Sequence, residues 1–155
     1  MEKKKIELSQ SLEDYLEAIY IVTSEKRIAR VKDLVKRLKV RSSSVIGAIK
    51  KLRDRGYVKQ EHYGYIELTP TGSKHAEELF EKHNSLFNFF SSILKVSPKT
   101  AEKDACAIEH HISEETYKKM MTLINLIKRI QENDPNDDLC EKLRIFISGG
   151  DSDKT

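Results

Sequence analysis

Apolar positions recur at helical spacing from residue 11 to about residue 24. Leu12, Tyr15, Leu16, Ile19, Tyr20 and Val22 form one stripe, behind Ser11 and Asp14 spaced as a capping box. The pattern predicts a first helix. A shorter one is expected over about 31–38 with Leu34, Val35 and Leu38 inward, and Ser42, Ser43 and Ser44 offer N-caps for a third that reaches Arg55. Gly56 ends that helix, and the runs 57–61 and 65–69 then flank His62-Tyr63-Gly64 as a β-hairpin. Two helices joined by a short turn and followed at once by a hairpin make a winged helix-turn-helix.

The second half reads as helices alone. Thr69-Pro70 places a cap before proline at the first helical position of a long helix, whose stripe is Leu79, Leu86, Phe87, Phe90 and Leu94 and whose end is near Val96. Ser97-Pro98 opens another helix to about His111. Ser113 caps one more, striped by Tyr117, Met120, Met121, Ile124 and Ile127 and broken at 133–136. A last short helix is expected over about 137–147, before a polar tail. The fold class is therefore mainly α: a winged helix-turn-helix over 1–72, a helical domain over 73–148 and a disordered tail over 149–155.

Charge changes the picture through its placement. Lys and Arg total 28 against 25 Asp and Glu in 155 residues, and a net charge of +3 argues for no partner by itself. The second quarter is nevertheless strongly basic, with Arg27, Arg30, Lys32, Lys36, Arg37, Lys39 and Arg41 ahead of Lys50, Lys51, Arg53 and Arg55. In a helix-turn-helix the start of the second helix meets base edges while cations meet phosphates. Arg41, Ser42, Ser43 and Gly47 are base-facing candidates, with Ser44 in the same hydroxyl run, and Lys50, Lys51 and Arg53 are phosphate candidates. Double-stranded DNA is the expected partner. The chain shows no apolar run of membrane-spanning length and no signal-peptide pattern, so it is expected to be cytoplasmic. The two distant cysteines, Cys106 and Cys140, suit neither a disulfide framework nor a four-thiolate zinc site.

Cys106 has more telling neighbours. On a helix, Glu102, Cys106, Glu109 and His110 share one face, whereas His111 is turned about 100° away. Asp14 and Glu17 are one turn apart in the first helix, and His83 lies within the apolar stripe of the long helix. Together these residues offer carboxylate, imidazole and thiolate donors for one or two octahedral or near-octahedral first-row ions. No HExxH spacing, nucleophile elbow or phosphate loop is present, so no enzyme is expected and no small-molecule substrate. The alternatives are a winged-helix repressor with a non-metal effector and, behind it, a metal-dependent hydrolase.

The run 11–20, the winged helix, Leu68-Thr69-Pro70-Thr71-Gly72, Lys82-His83 and Ala107-Ile108-Glu109-His110-His111 follow one another in an order that resembles the diphtheria toxin repressor and manganese transport regulator family, across about residues 9–135. The resemblance implies a homodimer that binds palindromic operators when loaded with Fe(II) or Mn(II) and represses metal-uptake genes. One or two ions per subunit are implied, for which Zn(II), Co(II) or Ni(II) can substitute. The length fits the short form without an SH3-like domain. Asp14, Glu17, His83, Glu109 and His110 match ligands of the manganese branch, but Cys106 stands where that branch has a carboxylate. A cysteine there belongs to the iron branch, which has methionine in place of Asp14. Phe87 and Glu102 occupy positions where the iron branch has ancillary glutamate and histidine ligands, leaving Glu102 as a further candidate. The thiolate favours Fe(II) over Mn(II). Since the ligands come from both domains, one ion is expected to tie them together, and the stripe 117–127 is the expected dimer seam.

Overall fold

The computed structural model describes residues 8–60 and 64–133, with the helical positions Lys142 and Ile145; the rest of the predicted last helix, the tail and Cys140 lie outside the described residues. The elements are α1 (Gln10–Lys26), α2 (Val31–Leu38), α3 (Ser42–Asp54), β1 (Val58–Gln60), β2 (Ile66–Leu68), α4 (Pro70–Asn88), α5 (Pro98–Glu109) and α6 (Glu114–Asn133). A π-helical turn, Phe89–Ile93, continues α4. The chain divides into two compact units, Met1–Glu81 and Lys82–Thr155.

In the first unit, the inward faces of α1, α2 and α3 supply Leu16, Ile19, Leu34, Val45, Ile49 and Leu52 to one core, which Ile66 of the hairpin completes. The hairpin is antiparallel, with Val58 opposite Leu68 and Gln60 opposite Ile66. Ile66 also exchanges backbone hydrogen bonds with Ala29, its N–H donating at 2.9 Å and its carbonyl accepting at 3.3 Å. The wing is thereby anchored to the segment that leads into α2. Arg30 reinforces this anchor, its guanidinium 4.9 Å from the Tyr65 ring centroid and donating to the Tyr65 hydroxyl at 3.1 Å.

Two helix starts differ from expectation. The Ser9 carbonyl accepts the N–H groups of Leu12 and Glu13, so α1 begins before Ser11 and the Ser11–Asp14 capping box does not form. At α3 the extended Arg41 is the N-cap, and its carbonyl accepts from Ser44 and Val45. Ser42, Ser43 and Ser44 therefore lie within the first turn as exposed hydroxyls rather than as caps.

The start of α2 is held by Asp33, which accepts from the Arg30 backbone N–H at 3.1 Å and from Lys26 Nζ at 2.8 Å. The Lys26 hydrogen bond outweighs burial and keeps the Asp33 carboxyl below its ordinary range. A depressed carboxyl stabilises the fold above its unfolded pKa, and that contribution disappears as pH falls through the folded value. Asp33→Ala should cost about 0.5–1 kcal/mol at neutral pH, the scale of a lost helix cap. Urea denaturation of both proteins at pH 7 and pH 3 checks it, and an equal difference at the two values would exclude the ionised cap as the cause.

The second unit buries Ile93, Ile124 and Ile127, with Phe89, Met120 and Met121 packed against them. The N–H of Leu94 donates to the Phe89 carbonyl, five residues back. This wider turn holds one residue more than an α-helical turn and shifts the facing of the residues after it. Ile93 goes inward, and Leu94, expected inside, is 37% exposed. The stripe on α6 is likewise absorbed by its own unit. The exposed apolar positions of that helix are Leu123 and Leu126, at 52% and 54%. Among the described residues, no helix is long and apolar enough to cross a membrane.

Candidate metal centre and nucleic-acid interface

The second unit links four of the predicted donors in a chain of side-chain contacts. His83 comes from α4, Glu102 and Glu109 from α5, and His110 caps the C-terminus of α5. Glu109 Oε2 lies 2.7 Å from His83 Nδ1, and Glu102 Oε2 lies 3.3 Å from His83 Nε2. Each of these bonds needs an N–H, so both are made together only by the imidazolium form. His110 Nε2 approaches Glu109 Oε1 to 3.2 Å. The two stand as an ion pair, and Oε1 is buried without a hydrogen-bond partner. Cys106, one turn before Glu109 and His110, is exposed as a residue, and its Sγ lies within 4.8 Å of a Glu109 carboxylate oxygen.

Glu109 is the one buried charged residue among those described, at 2% exposure. Burial works against its charge, but the His110 and His83 imidazoles outweigh that penalty and hold the carboxyl below its ordinary range. A buried carboxylate kept ionised, with an oxygen left over, is what a cation site requires. A carboxylate, two imidazoles and a thiol suit a first-row divalent ion, so the residues present fit one. Lys82 steadies this end of α4, pairing with Glu114 at 3.0 Å and lying 5.4 Å above the Tyr117 ring centroid. Sequence reasoning assigned Lys82 no role; a lysine next to a candidate ligand and matched to an acidic helix start was the available signal.

The first unit carries the other two donors, Asp14 and Glu17, one turn apart on α1 and both partly buried. It also carries the nucleic-acid candidates. Arg41, Ser42, Ser43, Ser44, Gly47, Lys50, Lys51 and Arg53 are all exposed, while Val45, Ala48, Ile49 and Leu52 hold α3 to the core. One face of α3 is fixed by packing and the other is left to a partner.

Comparison with known proteins gives these features a context. A family model described as "Iron dependent repressor, N-terminal DNA binding domain" matches residues 7–66. A second, "Iron dependent repressor, metal binding and dimerisation domain", matches residues 69–138. The HTH-type transcriptional regulator MntR of Shouchella clausii is 38% identical over 132 residues, covering 84% of this chain and 90% of that protein. An HTH-type transcriptional regulator of Methanocaldococcus jannaschii is 36% identical over 122 residues, covering 78% and 98%. The crystal structure of T. acidophilum IdeR superposes with a TM-score of 0.66 at 24% identity, over 77% of this chain and 55% of that one. That likeness concerns the fold, and the chain spans about half the length of that solved protein. With both halves matched in order, the chain belongs to the iron-dependent repressor family, metal-dependent transcriptional regulators that bind DNA and dimerise rather than catalyse a reaction.

Proposed function

We propose that the chain is a cytoplasmic repressor, activated by Fe(II) or Mn(II), that binds palindromic operator DNA as a homodimer and controls metal-uptake genes. The observation that carries this reading is the buried Glu109 carboxylate, set between His83 and His110 with Oε1 lacking a hydrogen-bond partner. The ligand set is Asp14, Glu17, His83, Cys106, Glu109 and His110, with Glu102 as a further donor when a second ion binds. Zn(II), Co(II) and Ni(II) can occupy the same donors, and the Cys106 thiolate favours Fe(II) over Mn(II).

A bound divalent ion supplies positive charge to carboxylates and a thiolate that would otherwise repel one another. Asp14 and Glu17 bring the DNA-binding domain to that charge, and Cys106, Glu109 and His110 bring the dimerisation domain. Sharing it narrows the orientations in which the two α3 helices of a dimer reach successive major grooves. Arg41, Ser42, Ser43, Ser44 and Gly47 then meet base edges, and Lys50, Lys51 and Arg53 meet phosphates. Reciprocity requires operator DNA to tighten metal binding by the same factor. Between copies, the exposed Leu123 and Leu126 of α6 provide the apolar seam.

Anaerobic fluorescence anisotropy tests the reading, with a labelled duplex from the gene's own upstream region and protein in chelator, Mn(II), Fe(II) or Zn(II). Metal should tighten binding of the wild type, and Cys106→Ala should reduce the gain more with Fe(II) than with Mn(II). Tight binding that ignores metal would point instead to a non-metal effector.

A further inference from the structure

We propose that Ile46 reads sequence, packing its aliphatic side chain against a thymine C5-methyl group in the major groove. The inference rests on α3 being the helix that enters the groove. Four α3 residues are spent on the core, and Ser43, Gly47 and Lys50 face away from it. Ile46 lies at the edge of that outward face and is 57% exposed. The other exposed positions on α3 are hydroxyls, charges or glycine, so Ile46 is its one exposed large aliphatic side chain. A β-branched residue is a poorer helix former than the alanine or lysine that would serve on a solvated face, so helix propensity does not favour it there.

The neighbouring position makes room for a contact. Gly47 is exposed, and a Cβ added there would meet nothing within 4 Å, so the backbone of this turn is open to close approach. Beside it, Ser42 and Ser43 offer hydroxyls to the polar base edges. In the major groove every base edge is marked by hydrogen-bonding groups, and thymine alone adds a methyl group. An isolated aliphatic side chain among hydroxyls therefore has one complementary feature to meet.

The test uses the full chain loaded with Mn(II) to select duplexes from a random library. Each thymine pair related by the operator's symmetry is then replaced by deoxyuridine, which removes the methyl and keeps the pairing. At one position, uracil should weaken wild-type binding about four-fold per methyl, the effect of returning one apolar carbon to water. At that position Ile46→Ala and Ile46→Ser should bind the thymine and uracil duplexes equally, with helical circular dichroism unchanged because the site is exposed. Indifference of the wild type to every substitution, or the same uracil penalty in the variants, would overturn the role of Ile46 while leaving the DNA-binding reading intact. Failure to select any duplex, with metal or with chelator, would overturn that reading and this inference with it.

Discussion

Glu109→Gln is expected to leave DNA binding no tighter in metal than in chelator. The substitution keeps the size of the side chain and removes the charge that sits between His83 and His110. Outer-sphere partners of bound metals already account for about 10–100-fold in affinity, so loss of a charged ligand should weaken metal binding by at least about 100-fold. Isothermal titration with Mn(II) measures the loss directly, and a variant within about ten-fold of the wild type would remove Glu109 from the ligand set. A second readout needs no metal. The Glu109 carboxyl lies below its ordinary value of 4.5 in the folded protein. Its contribution to stability is therefore present above about pH 4.5 and is lost as pH falls through the lowered value. Metal-free wild type should lose stability over that range more steeply than Glu109→Gln. Parallel pH profiles would mean that Glu109 is not held ionised by its histidines.

The second large effect is structural. A Cβ on Gly72 would lie 1.9 Å from the Tyr57 carbonyl oxygen and 2.8 Å from the carbonyl carbon, both backbone atoms that cannot rotate aside. This approach is built by Thr69, whose backbone N–H donates to the same carbonyl at 3.0 Å and whose hydroxyl accepts from Gly72 N–H at 3.0 Å. Replacing glycine by alanine inside a helix ordinarily stabilises by about 1 kcal/mol. At Gly72 the sign should reverse, because the first turn of α4 must move off the Tyr57 backbone between α3 and β1, at a cost of about 3 kcal/mol. Gly47 is the control: it is also helical, its added Cβ meets nothing within 4 Å, and Gly47→Ala should stabilise. Chemical denaturation of the metal-free proteins compares the two, and equal stabilisation by both would contradict the close approach at Gly72.

Much of the fold was legible in the chain. The period of apolar residues located the helices of the winged helix-turn-helix and of the second half, because a helix must bury one stripe whatever covers it. Gly56, at φ 79°, marked the end of α3 as its freedom from a Cβ allows. Thr69-Pro70 marked the start of α4. The misplaced helix starts, at Ser11 and Ser42, have one cause: several nearby hydroxyls could cap, and backbone carbonyls of Ser9 and Arg41 decide which turn closes first.

The candidate site was legible as chemistry and not as geometry. Helical spacing alone put Glu102, Cys106, Glu109 and His110 within reach of one another, since neighbours three and four apart are set by the helix itself. His83 is 26 residues from Glu109, and no local rule brings its Nδ1 to 2.7 Å. The burial of Glu109, the lack of a hydrogen bond to its Oε1, the inward turn of Ile93 in place of Leu94 and the exposure of Leu123, Leu126 and Ile46 were likewise decided by packing. The sequence by itself determined which faces were apolar and which donors were available, because both depend on residue type and on a repeat of a few residues. Only the tertiary structure decided which apolar face was covered by its own chain and which donor lost its water, because both depend on segments distant in sequence that meet only once the chain has folded.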